Sequence, residues 1–189
     1  MSANILYLHG FRSSPASWKS ILLAETLRAR GRDGHYFCPA LSYVPFEAIA
    51  HAEIIIKRLK GDVALVGSSL GGYYATYLAE KYNLKAVLIN PAVKAPSLLT
   101  NWVGTQINLH TRENFEFTYE HIEQLKRLDV ATITPERYLV LLETGDQIVD
   151  YRDAVARYAG SRQIVVQGGE HLFLSFPEYV PQVLEFCGM

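Results

Sequence analysis

Residues 67–71 read Gly-Ser-Ser-Leu-Gly. They follow the apolar run Val63-Ala64-Leu65-Val66 and precede a helical pattern carried by Tyr73, Tyr74, Ala75, Tyr77, Leu78 and Ala79. A serine at the apex of such a strand-to-helix turn is pushed out of the sheet, with its hydroxyl exposed and the next backbone amide beside it. That arrangement suits covalent acyl transfer. Gly67 and Gly71 have a steric reason to be there, because a Cβ would crowd so sharp a turn. Ser69 is the predicted nucleophile. The spacing alone is a modest signal, since glycine and serine are common; the strand before it and the helix after it give it weight.

A serine hydroxyl is a poor nucleophile near neutral pH, so it needs a base within hydrogen-bond reach and a third group to orient that base. Gly145-Asp146-Gln147-Ile148-Val149 lies just past an apolar run at 138–142, and Gly168-Gly169-Glu170-His171 just past another at 163–166. His171 is the expected base. His35, His51, His110 and His121 fall in an early strand, a helix and the irregular middle of the chain, and Glu170 reads as a solvated loop charge. For the orienting acid, Asp146 is favoured because it follows Gly145 directly at the strand end. Asp150 is the alternative, although it has the position that commonly caps a helix, here one beginning near residue 151.

Acyl transfer also needs donors aimed at the developing oxyanion. One is the Leu70 amide at the elbow. The second is expected from Leu8-His9-Gly10-Phe11, at the end of the first strand, with Phe11 supplying the amide. His9 is read as a brace for that loop, direct catalysis being the alternative.

These residues require a scaffold that brings strand ends together. Continuous apolar strands are expected at 4–8, 63–66, 85–89, 138–142 and 163–166, with a further strand at about 35–38. Helical patterns fall at about 16–30, ended by Gly31, at 45–59, opened by Pro45 and stopped by Gly61, at 151–158 and at 178–186. Alternating strands and helices with aliphatic strand interiors predict an α/β fold: a six-stranded, mostly parallel sheet with helices on both faces. The chain order Ser, Asp, His is that of an α/β hydrolase rather than of the chymotrypsin or subtilisin arrangements.

The alternation breaks at about 91–135, where a short helix near 96–102, an irregular polar stretch and an amphipathic segment at 119–128 are expected. Its position after a strand end would place it over the carboxyl edge of the sheet, as a small inserted lid; the alternative is a larger crossover that only packs on the scaffold.

At 189 residues the chain suits a single domain, 1–189, and 49% hydrophobic with 20% charged residues is ordinary for a globular protein. Eighteen Lys and Arg against 19 Asp and Glu leave no positive excess to hold a phosphate backbone, so nucleic acid is not an expected partner. No run approaches membrane-spanning length and the first residues lack the features of a secretory signal, so a cytoplasmic location is expected. Cys38 and Cys187 lie far apart with no Cys/His cluster, and no metal or cofactor is expected.

Taken together, Leu-His-Gly-Phe, Gly-Ser-Ser-Leu-Gly-Gly-Tyr-Tyr-Ala-Thr, Asn90-Pro91-Ala92-Val93, Thr-Gly-Asp-Gln-Ile-Val-Asp-Tyr-Arg and Gly-Gly-Glu-His make the chain resemble the YqiA-like esterases of the α/β hydrolase superfamily over nearly its whole length. The resemblance implies a small hydrolase of carboxylic esters or acyl-CoA thioesters, with Ser69, Asp146 and His171 in the roles argued above. An amidase or acyltransferase using the same groups stays open, as does a non-catalytic ligand-binding protein of this fold. For the small acyl substrate, Phe11, Tyr73, Leu98, Leu99 and Trp102 are candidates to line an apolar pocket. Arg12 is a candidate to meet an anionic leaving group, with a solvated surface arginine as the alternative.

Overall fold

The computed structural model describes residues 3–189. Strands without polar alternation bury both faces, and here each central strand does so: in β1 (Asn4–Leu8), Leu6 and Leu8 enter one apolar layer while Ile5 and Tyr7 enter the other. β3 (Val63–Ser68), β4 (Lys85–Ile89) and β7 (Tyr138–Glu143) repeat the pattern. With β2 (Tyr36–Phe37) and β8 (Arg162–Val166) at the edges, the sheet order is β2-β1-β3-β4-β7-β8. Every pairing in it is parallel, so the expectation of a mostly parallel sheet is exceeded.

Helices α1 (Trp18–Ala29) and α7 (Phe176–Phe186) cover one face through Leu23, Leu27, Phe176, Val180, Val183 and Leu184. The other face receives α2 (Pro45–Arg58), α3 (Leu70–Tyr82) and α6 (Tyr151–Arg157). Fully burying an aliphatic side chain stabilises by about 1.5–3 kcal/mol. Truncating Leu88, which has no exposed surface, to alanine is therefore expected to cost about 2–5 kcal/mol.

The chain leaves β1 for β2 on one side and returns to β3 on the other, so the loops after β1 and β3 diverge. That crevice is the topological switch point where open α/β sheets bind ligands. It is also where Gly10-Phe11 and Ser69 emerge.

Between β4 and β7 the chain forms α4 (Ala95–Thr100), an antiparallel hairpin of β5 (Gly104–Ile107) with β6 (Asn114–Phe117), and α5 (Tyr119–Arg127). The hairpin corrects the expectation of an irregular polar stretch. Asn114-Phe115-Glu116-Phe117 alternates strictly and turns its two phenylalanines inward, but four residues of alternation are too short to stand out among polar neighbours. The edge strand β2 is shorter than the 35–38 expected, because Asp33–His35 forms a 3₁₀ turn.

Candidate active site

Ser69 occupies the turn between β3 and α3 with φ 55° and ψ −119°, a backbone region that costs a non-glycine residue about 1–3 kcal/mol. The surroundings hold it there. The Ser69 amide donates to the Ile89 carbonyl at 3.0 Å, and the Ser69 carbonyl accepts from the Gly72 and Ala92 amides at 2.9 and 3.1 Å. The flanking glycines are obligatory for steric reasons: a Cβ on Gly71 would stand 1.9 Å from the Leu8 carbonyl oxygen, and one on Gly67 would stand 2.3 Å from that of Gly71.

The structure brings the three strand-end residues together. His171 Nε2 lies 3.0 Å from Ser69 Oγ, and His171 Nδ1 lies 2.6 Å from Asp146 Oδ2. A carboxylate can only accept, so the ring proton belongs on Nδ1, which leaves Nε2 free to accept from the serine hydroxyl. Asp146 is itself oriented, its Oδ1 accepting from the Ile148 and Val149 amides at 2.8 and 2.9 Å. Its side chain is fully buried, whereas that of His171 keeps 22% of its surface. The two loops are tied by the Gly145 amide, which donates to the Gly168 carbonyl at 2.7 Å. Asp150 is elsewhere: it caps α6 through the Arg152 amide and pairs with the Arg152 guanidinium.

The Leu70 and Phe11 amides have no hydrogen-bond acceptor among the described residues. Gly10 lies against Ser69, where a Cβ would sit 3.3 Å from that of the serine. His9 is buried, and its Nε2 accepts from the Leu41 amide at 3.0 Å while Nδ1 faces the Gly10 carbonyl at 3.1 Å. Burial lowers its pKa below the ordinary 6.5, consistent with a neutral ring that links the β1 loop to the segment after β2.

A cleft of about 1030 Å³ opens from these donors, walled by Leu70 and Tyr74 from α3, Leu41 and Tyr43 from the segment after β2, and Asn108 and Phe115 from the hairpin. The hairpin also pins the β1 loop. Arg12 Nε donates to the Ile107 carbonyl, the Leu109 amide to the Arg12 carbonyl and Asn108 Nδ2 to the Ser13 carbonyl, at 2.8–2.9 Å. Phe11 is boxed by Phe117, Phe115 and Trp102, with ring centroids 4.9, 5.8 and 6.3 Å away.

Four of the expected substrate contacts, Tyr73, Leu98, Leu99 and Trp102, lie outside the cleft wall. Tyr73 is a core residue, 6% exposed, whose hydroxyl donates to the Leu125 carbonyl at 2.8 Å. One step along the helix turns the side chain by about 100°, so its neighbour Tyr74 faces the cleft instead. Trp102 stands behind Phe11, with the Arg12 guanidinium 5.1 Å over its ring. Arg12 does border the cleft, but its Nε and its guanidinium face are engaged by Ile107 and Trp102. Leu99 is core, and Leu98 borders a separate surface hollow with Pro91 and Val149. Among the other histidines, His35 faces Asn4, His121 accepts from the Thr118 amide at the start of α5, and His51 lies on the cleft rim. Three buried polar residues near His171, Lys19, Asn90 and Glu143, are given no role by the sequence reading, although Asn90 opens one of the quoted blocks. A charged residue closing an otherwise aliphatic strand, as Glu143 closes β7, was the one available signal.

The parallel sheet, its switch point and the serine turn define the α/β hydrolase fold. Solved structures share it: alpha/beta hydrolase domain-containing protein 10 from mouse matches with a TM-score of 0.70 at 15% identity, over 95% of this chain and 90% of that one. Ferulic-acid-bound Est1E from Butyrivibrio proteoclasticus matches with 0.68 at 15% identity, over 98% and 87%. The esterase domain of a Rhodothermus marinus protein matches with 0.67 at 18% identity, over 97% and 84%. The chain itself belongs to the Uncharacterised protein family UPF0227, the YqiA-like family, whose profile matches residues 4–188. No helix among the described residues is long and apolar enough to cross a membrane.

Proposed function

We propose that this protein is a serine hydrolase of carboxylic esters, with Ser69 as nucleophile, His171 as general base and acid, and Asp146 as the group that orients the imidazole. The observation that carries the reading is the unbroken line from Asp146 Oδ2 to His171 Nδ1 and from His171 Nε2 to Ser69 Oγ, at 2.6 and 3.0 Å. Esterase function among proteins of the same fold supports it.

In the first step Ser69 Oγ attacks the ester carbonyl carbon while its proton passes to Nε2, and the carbonyl oxygen becomes an oxyanion facing the Leu70 and Phe11 amides. Each such donor is worth about 2.7–4 kcal/mol in comparable sites. The imidazolium then protonates the departing alkoxide, leaving an acyl-serine. Water, deprotonated by Nε2, attacks the acyl carbon, and collapse of the second tetrahedral intermediate expels Oγ, which takes the proton back from the imidazolium as the carboxylic acid is released. No step calls for a cofactor. The hairpin, which forms one wall of the cleft and pins the β1 loop, acts as the lid in this reading.

Purified protein assayed on matched p-nitrophenyl ester, acyl-CoA and anilide substrates tests the reading. Turnover is expected to be highest on the ester and to vanish in Ser69→Ala; preferred turnover of the anilide, or activity retained in Ser69→Ala, would refute it.

A further inference from the structure

We infer that Glu143, Asn90 and Lys19 form a buried polar clamp that positions the His171 imidazole against Ser69. The inference rests on the proposed role of His171 and adds three positioning residues to it. His171 sits in the loop between β8 and α7, whose flanking Leu172 and Leu174 are 52% and 58% exposed. Apolar burial therefore holds this loop only through Phe173, which is itself in the left-handed region at φ 56°. A bulky side chain in that region is unfavourable by about 1–2 kcal/mol, so the surroundings must impose the conformation.

They do so by hydrogen bonds to the loop's main chain. Glu143 accepts from the Glu170 amide at 2.7 Å, and its other oxygen accepts from the Ser175 hydroxyl and amide. Asn90 Nδ2 faces the Glu170 and His171 carbonyls at 3.2 and 3.3 Å, while its Oδ1 accepts from the Glu143 amide at 2.9 Å. Lys19 Nζ donates to the Leu172 carbonyl at 2.6 Å. The backbone on both sides of His171 is thus fixed by side chains from the ends of β4 and β7 and from α1, none more than 5% exposed. Even the approach of the loop is set by the carboxylate: a Cβ on Gly169, where φ is +71°, would lie 2.2 Å from Glu143.

Apolar residues of equal volume would leave the Glu170 and Ser175 amides and the carbonyls of residues 170–172 without these partners, so the carboxylate, the amide and the ammonium are matched to the loop's main chain. Hydrogen bonds supply direction, which apolar packing lacks, and proton transfer is sensitive to direction: a 1 Å misplacement can cost about 10²-fold in rate. Burial lowers the Lys19 pKa to about 8, with the Glu143 and Asp146 carboxylates opposing the shift.

The test compares full-length wild type with Glu143→Ala, Glu143→Gln and Lys19→Met. It uses kcat and KM on a p-nitrophenyl ester, the thermal midpoint, and the proton NMR resonance of the His171 Nδ1–H that faces Asp146. In Glu143→Ala, kcat is expected to fall about 10²-fold with KM within about twofold, and the resonance to broaden through faster exchange. Glu143→Gln keeps an acceptor oxygen and is expected to recover most of that loss, to within about fivefold of wild type. Lys19→Met is expected to lower kcat about tenfold at unchanged KM, and it carries the test where Glu143→Ala does not fold. Unchanged kcat and an unchanged resonance in the folded variants would overturn the clamp. A clamp-dependent resonance in a protein with no hydrolytic activity would instead overturn the proposed function and leave the clamp standing.

Discussion

Ser69 and His171 are held by opposite means. Ser69 is fixed by backbone: its amide and carbonyl are bound to main-chain partners, and glycine at 67 and 71 lets the turn close against the carbonyls of Leu8 and Gly71. His171 is fixed by side chains: Glu143, Asn90 and Lys19 grip a loop that buries little of its own apolar surface. A position set by backbone contacts leaves a local signature, because only certain residues fit a sharp turn. A position set by distant side chains leaves almost none. The serine side should therefore fail all at once when altered, and the histidine side by degrees.

Ser69→Ala probes the first side at its centre and is expected to lower kcat by about 10⁴- to 10⁶-fold while circular dichroism and the thermal midpoint stay near wild type. On the histidine side, Asp146→Asn should cost about 10³- to 10⁴-fold in kcat by favouring the wrong ring tautomer. Asp150→Asn, which touches only the cap of α6, should stay within about twofold; the opposite ranking would reassign the acid. Gly71→Ala forces a Cβ into the Leu8 carbonyl and should remove about 3–5 kcal/mol of unfolding free energy in urea titration, with loss of the elbow.

The smallest effect concerns pH. Burial lowers the pKa of both His9 and His121 below 6.5, so near that pH the unfolded chain binds protons that the folded chain does not. The stability these rings contribute is present above pH 6.5 and is lost as pH falls through their folded values. Unfolding free energy measured from pH 7.5 downward should decline, and the slope should be shallower in His9→Gln. An unaltered slope would place the proton uptake elsewhere.

This asymmetry explains what was legible in the chain. The aliphatic runs at 4–8, 85–89 and 138–142 named their strands because both faces are buried, whereas the switch point emerges only from the order of the strands across the sheet. Asp146 and His171 were readable from their positions just past strand ends. The cleft wall was not: Tyr73 and Tyr74 are alike in type, and only the rotation of α3 against α5 decides which borders the cleft. The clamp was hidden for a different reason. Lys19, Asn90 and Glu143 lie in three separate parts of the chain, and beyond the charge that closes β7 nothing local points to a shared partner loop.

Ser69 activated by His171 is the claim on which the rest turns, and reaction with a fluorophosphonate followed by peptide mass mapping tests it most directly. A single adduct on Ser69 is expected, absent in Ser69→Ala and formed at least about 10²-fold more slowly in His171→Ala. Labelling at another residue, no labelling of the folded protein, or an undiminished rate in His171→Ala would contradict it.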